Sequence, residues 1–244
     1  MITIIGTIHV VNIAEPIMFF IKHIWPDAVL VELDVTRYNA LQGNSSETDG
    51  DKADRMFEQT AKYQQKLAEN NRSSVGNEML TAVQTGKLVG AEIGLIDDDA
   101  MRTLQRAWDA MPFGERFRYR LSVIRDRFKG QKDVQRIIDD SKYADQAIED
   151  MRRRYPNFVR VLVDERNEKM SAQIRDYAER FTNIVVVVGD AHVEGIADAL
   201  SDLEVRKIRL ADILDKDRLD KVRASLWNRG EENEGQVVGV HAER

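Results

Sequence analysis

Two of the four histidines in this 244-residue chain each stand three residues after a glycine that closes an apolar, β-branched run. They are His9 in Gly6-Thr7-Ile8-His9, after Ile2 to Ile5, and His192 in Gly189-Asp190-Ala191-His192, after Ile184 to Val188. Two further apolar runs end in carboxylates, at Glu32-Leu33-Asp34 and at Asp97-Asp98-Asp99. In an open parallel sheet, ligands sit beyond the carboxyl ends of the strands, where side chains and helix N-termini converge, so these groups are placed to meet. Neutral imidazole beside carboxylate suits a divalent ion such as Mn, Fe, Co or Zn, which brings the pKa of a bound water toward neutrality. The same set suits acid–base work without a metal. A histidine at a strand end also serves as a plain hydrogen-bonded cap, and the spacing alone leaves these readings open.

The elements that position these residues follow from hydrophobic periodicity. Ile2 to Ile5 reads as a strand, Asn12 to Ile24 as a helix with apolar residues at helical spacing, and Ala28 to Val31 as a strand buried on both faces. Gly43 to Lys52 has no apolar residue and reads as a disordered surface loop. Helical spacing resumes over Met56 to Leu67 and Val75 to Leu88, before a third strand at Ala91 to Ile96. A charged helical excursion of several segments runs from about 100 to 181, with Pro112 and Pro156 as helix starts. Ile184 to Val188 returns to the sheet, Val193 to Leu200 suits a helix, and Val205 to Leu210 a last strand. The expected fold is α/β, a mostly parallel central sheet flanked by helices, in one domain over 1–227, with 228–244, including His241, a mobile tail. His23, just before Ile24-Trp25-Pro26, is explained by packing or by a helix C-terminus.

Composition narrows the function. The formal net charge is −6, which argues against nucleic acid as a partner. With no cysteine, disulfides, thiolate metal sites and cysteine nucleophiles are excluded, and a reducing cytoplasm fits. The apolar runs fall far short of the roughly 20 residues of a membrane-spanning helix, and the first residues lack the features of a signal peptide.

Three stretches carry a resemblance to a known family. Val31-Glu32-Leu33-Asp34-Val35-Thr36-Arg37-Tyr38 with the first Gly-x-x-His, Asp164-Glu165-Arg166-Asn167 with Met170, and Val187 to Ile196 resemble, in the same order, the TraB/PrgY pheromone-shutdown family. That family shares a superfamily with the Tiki proteases. Val89 to Asp97 is similar to the family's internal strand, so the resemblance spans residues 2 to about 210. Asp98 stands where family members often carry a basic residue, and many members continue into membrane helices.

The resemblance implies a metal-dependent hydrolase acting on a peptide or small amide, with Mn or Co as the ion. His9, His192 and Glu32 would hold the metal, Glu32 or Glu165 would act as general base, and Arg37 would stabilise the oxyanion. Glu165 and Arg166 match the family's Glu-Arg-Asn helix motif and join the catalytic set. Asp97 and Arg106 are read as substrate contacts, or as ion-paired residues fixing the excursion to the sheet. The bland counterparts are a surface Glu32–Arg37 pair and a solvated face at Glu165 and Arg166. Two readings stand beside metal-assisted hydrolysis: hydrolysis without a metal, and a module that sequesters a peptide without cutting it. A third assigns the excursion to self-association as a homodimer.

Overall fold

Five apolar segments too short for helices pair into one sheet: β1 (Ile2–Thr7), β2 (Ala28–Val31), β3 (Glu92–Leu95), β4 (Ile184–Gly189) and β5 (Val205–Ile208). The computed structural model of the chain describes residues 1–8, 11–43, 76–126 and 141–226. His9, the polar stretch beyond Gly43, the Met56 to Leu67 helix and the 228–244 tail lie outside the described residues.

Every strand pairing is parallel, in the order β3-β2-β4-β1-β5. Valine and isoleucine fill β4 because both of its faces are covered, and Ile184 to Val188 are fully buried. Alternate residues face opposite layers. Ile5, Val29, Val31, Val185 and Val187 pack against helix α1 (Ala14–Ile24) and, past α2 (Val35–Leu41), helix α3 (Asn77–Val89). Ile4, Leu30, Val186 and Val188 pack against Met170, Ile174, Val193 and Ile196. The chain therefore leaves β1 onto one face of the sheet and β4, its neighbour, onto the other. That arrangement opens a crevice at their carboxyl ends, the usual ligand position in such sheets.

Gly6 does not end β1, as its pattern suggests; it pairs with Val188, while Thr7 pairs with Gly189. Its glycine has a packing cause instead, since a Cβ there would lie 2.1 Å from Asp190 Oδ1. Gly6 and Gly189 are thus offset by one rung, and the two Gly-x-x-His segments are not equivalent in register.

Among the described residues, the excursion comprises α4 (Ala100–Ala110), α5 (Phe113–Asp126), α6 (Ser141–Arg154), α7 (Pro156–Val159), a π turn (Arg160–Asp164) and α8 (Glu165–Ala178). It has its own small core of Ala107, Met111, Tyr155, Phe158 and Val161. The buried Glu115 carboxylate accepts from the backbone N–H groups of Asn157 (3.1 Å) and Phe158 (3.2 Å) and from Asn157 Nδ2 (2.8 Å). It supplies acceptors for the open N–H groups where α7 begins. Helix α9 (Asp190–Ala199) follows β4, and α10 (Leu210–Leu214) follows β5.

Candidate active site

At the end of β2 the chain turns through Glu32, Leu33 and Asp34 into α2, and Asp34 is the N-cap. Its Oδ1 accepts from Arg37 N at 2.9 Å, satisfying a helix N–H that has no partner within the helix. The other Asp34 oxygen takes Arg37 Nε at 2.7 Å and Ala100 N at 3.3 Å. Burial works against the Asp34 charge, but the hydrogen bonds and charge of Arg37 and the Ala100 N–H outweigh it, so its pKa lies below the ordinary value. Arg37 Nη2 reaches on to Asp97 Oδ2 beyond β3. Nη1 of Arg37 has no hydrogen-bond partner among the described residues, and the side chain is about a third exposed.

Arg166, in the first turn of α8, lies at the centre. Nε donates to Asp97 Oδ1 at 2.9 Å, and Nη2 donates to Asp97 Oδ2 at 2.7 Å and to Glu32 Oε1. Nη1 donates to Leu162 O at 3.2 Å and contacts His192 Nε2 at 3.1 Å. A guanidinium has five N–H groups, and these five contacts commit all of them. Burial disfavours the Arg166 charge, but the Glu32 charge and then the bonds and charge of Asp97 prevail and hold its pKa above the ordinary arginine value.

The π turn helps to set this geometry. Glu165 N bonds to Arg160 O, five residues back, and such a switch takes a carbonyl out of the helical ladder. Leu162 O, inside the turn, accepts from Arg166 Nη1 at 3.2 Å.

His192 falls in the first turn of α9 and is buried. Its Nδ1 is 2.7 Å from Asn167 Oδ1, and its Nε2 is 3.5 Å from Glu32 Oε1. Because arginine only donates, Nε2 is the accepting nitrogen toward Arg166, which leaves the proton on Nδ1, facing Asn167. Glu32 Oε2 accepts from Gly189 N at 2.6 Å, tying the end of β2 to the end of β4.

Compared with known families, residues 1–211 match the one described as the TraB/PrgY/gumN family. The chain belongs to that family. An uncharacterized protein of Methanocaldococcus jannaschii is 30% identical over 214 residues, covering 83% of this chain and 54% of the relative. The chain thus spans little more than half of that relative's length. No helix among the described residues is long and apolar enough to cross a membrane.

In this TraB-family chain, the residues singled out in the sequence divide into three groups. Glu32, Arg37, Asp97, Arg166 and His192 form one connected network. Glu165 stands apart from it, with Arg106 on one carboxylate oxygen and Arg160 on the other. His9 lies outside the described residues. Glu32 pairs with Arg166 rather than forming a surface pair with Arg37. Asp98, where the family often has a base, pairs with Lys169 of α8. Asp34 and Asn167 complete the network but were not singled out as site residues. Asp34 carries a readable signal, an aspartate just before a helical run; Asn167 stands in the Glu-Arg-Asn motif, and its role shows in its contact with His192.

The divalent ion implied by the resemblance does not fit the described donors as they stand. His192 Nε2 and Glu32 Oε1 converge, but the Arg166 guanidinium contacts both and puts its positive charge against them. Among the described residues, no three His, Asp or Glu side chains gather as a metal-holding group.

Proposed function

We propose that this chain is a hydrolase of peptide or small-amide bonds, with Glu32 and His192 as the pair that handles the proton of the attacking water, His192 taking part at Nε2 once its contact with Arg166 Nη1 opens. The observation carrying this reading is the approach of His192 Nε2 to Glu32 Oε1 at 3.5 Å, at the carboxyl edge of the sheet. Each partner is oriented by other groups: Asn167 holds His192 through Nδ1, and Gly189 N and Arg166 hold Glu32. Arg166 has no N–H to spare for a substrate and acts as a positioning residue. Arg37 has no partner at Nη1 among the described residues and anchors its other donors on Asp34 and Asp97, so it is the arginine that meets a carbonyl oxygen gaining charge. Glu165, held between two arginines, is the weaker choice of base.

Metal-assisted hydrolysis is the second reading, favoured by the same convergence of imidazole and carboxylate. It requires Arg166 to withdraw, and His9 to join His192 and Glu32 as ligands. The ion, Mn or Co on the resemblance, would activate water.

The test is incubation of the chain with a peptide mixture, with and without Mn or Co and with chelator, followed by mass spectrometry of new termini. Cleavage that disappears in Glu32→Gln and His192→Ala but survives chelator supports the first reading. Cleavage lost on chelation, with metal content lost in His192→Ala, supports the second. Peptides bound and recovered uncut would sink both and leave sequestration.

A further inference from the structure

Helix α5 carries an apolar ridge that nothing in the described chain covers. Phe113, Phe117 and Leu121 recur every fourth residue and are 84%, 55% and 53% exposed, with the two phenyl rings stacked at 6.5 Å. The opposite side of the helix faces inward: Glu115 is buried as the cap of α7, and Tyr119 packs with Tyr155 and Phe158.

Arginines line both flanks of this ridge. Arg116 and Arg120 fall on one side, their guanidinium groups lying 5.5 and 5.3 Å from the Trp108 ring centre. Arg118 falls on the other, with Nη2 3.4 Å from the carbonyl of Arg154, whose own guanidinium is exposed and has no partner among the described residues. The inward-facing Glu115 is spent on backbone N–H groups, while Arg116 is met by Asp109, whose carbonyl accepts from Nη2 at 2.9 Å and whose carboxylate lies 4.0 Å away, so the band rests on Arg118, Arg120 and Arg154. A chain of net charge −6 thus presents a local cationic band around an aromatic ridge.

We propose that α5 docks this chain onto an anionic phospholipid surface, with the Phe113–Phe117–Leu121 ridge entering the acyl boundary and the flanking arginines meeting lipid phosphates. A basic helix with Phe and Leu on its exposed face has the character of one lying in the plane of a membrane interface. Charge complementarity selects this occupant over a second copy, since two such faces would bring their arginine bands together. The surface is a protruding ridge rather than a groove, which suits a fluid layer that closes around it.

The experiment is co-sedimentation of the full chain with vesicles of phosphatidylcholine alone or mixed with phosphatidylglycerol, over a range of salt. Expected is binding to the mixed vesicles only, weakening as salt rises. Binding should fall at least about tenfold in Phe113→Ser/Phe117→Ser, and less steeply in Arg118→Gln/Arg154→Gln. Circular dichroism establishes that each variant is folded. No sedimentation of folded wild type, or equal sedimentation of the phenylalanine variant, overturns the proposal. So does a wild-type dimer that the phenylalanine variant converts to monomer, which would assign the ridge to a second copy.

Discussion

Replacing Arg166 by methionine removes the cation on which Glu32 and Asp97 both depend. In the folded chain their side chains are 6% and 2% exposed, and that of Arg166 is 15% exposed, so little water is available to take its place. Removing one partner of a buried pair costs about 3–5 kcal/mol, because the remaining charge stays desolvated. Here one deletion takes its ion pair from Glu32, which keeps the Gly189 N–H, and leaves Asp97 with Arg37 as its remaining cation, so a cost within that range is expected. Against a total stability of about 5–15 kcal/mol, this is a large fraction. For a chain of this size each kcal/mol moves the melting temperature by about 2–4 °C, giving a drop of roughly 6–20 °C. Thermal and urea unfolding measure it, and adding Asp97→Asn to Arg166→Met should recover part of the loss as a positive coupling. A loss below about 1 kcal/mol, or strict additivity of the two changes, would refute the claim that one guanidinium holds the site together.

Other outcomes follow from single contacts. In Gly195→Ala, the new Cβ would lie 2.2 Å from Asn167 Nδ2, so Asn167 must move and its contact with His192 Nδ1 is disturbed. The expected cost is about 1–3 kcal/mol, with any hydrolytic activity falling more than folding does, read by unfolding and by rate. Asp34 has a depressed pKa in the fold, so it contributes stability above its ordinary value of 3.8 that is lost as pH falls below it. Acid titration of unfolding should therefore show a smaller loss in that window for Asp34→Asn than for wild type. Glu115→Ala leaves the part-buried Asn157 N–H and the buried Phe158 N–H without their Glu115 acceptor and should cost about 1–3 kcal/mol, seen as earlier proteolysis of the excursion.

The strands were legible because β-branched runs such as Ile184 to Val188 advertise burial on both faces. Their order was not, since nothing local tells Ala28 to Val31 that its neighbours will be β3 and β4 rather than β1. The same divide separates the site residues. Glu32, Asp97 and Arg166 were each visible at a strand end or in a motif, yet their union joins residues 69 and 134 positions apart. Charge patterns on a helix read equally well as solvated faces, so Arg166 within Glu165-Arg166-Asn167-Glu168-Lys169 gave no sign of being buried. The π turn is subtler still: Arg160-Val161-Leu162-Val163-Asp164 has ordinary helical composition, and only the backbone spacing distinguishes it.

The sheet's strand order also governs the order in which a growing chain can fold. β1 has β4 on one side and β5 on the other, so the earliest made of these five strands is the one whose neighbours are made last. Until Ile184 to Gly189 emerges, β2 can pair only with β3, and Ile2 to Thr7 is an apolar extended segment with no ladder to join. Closing the central seam then spans nearly the whole described sequence, the kind of distant pairing that folds slowly. A stalled or truncated product ending before β4 would keep an open β edge and a sticky leading segment, the combination that recruits other copies of itself.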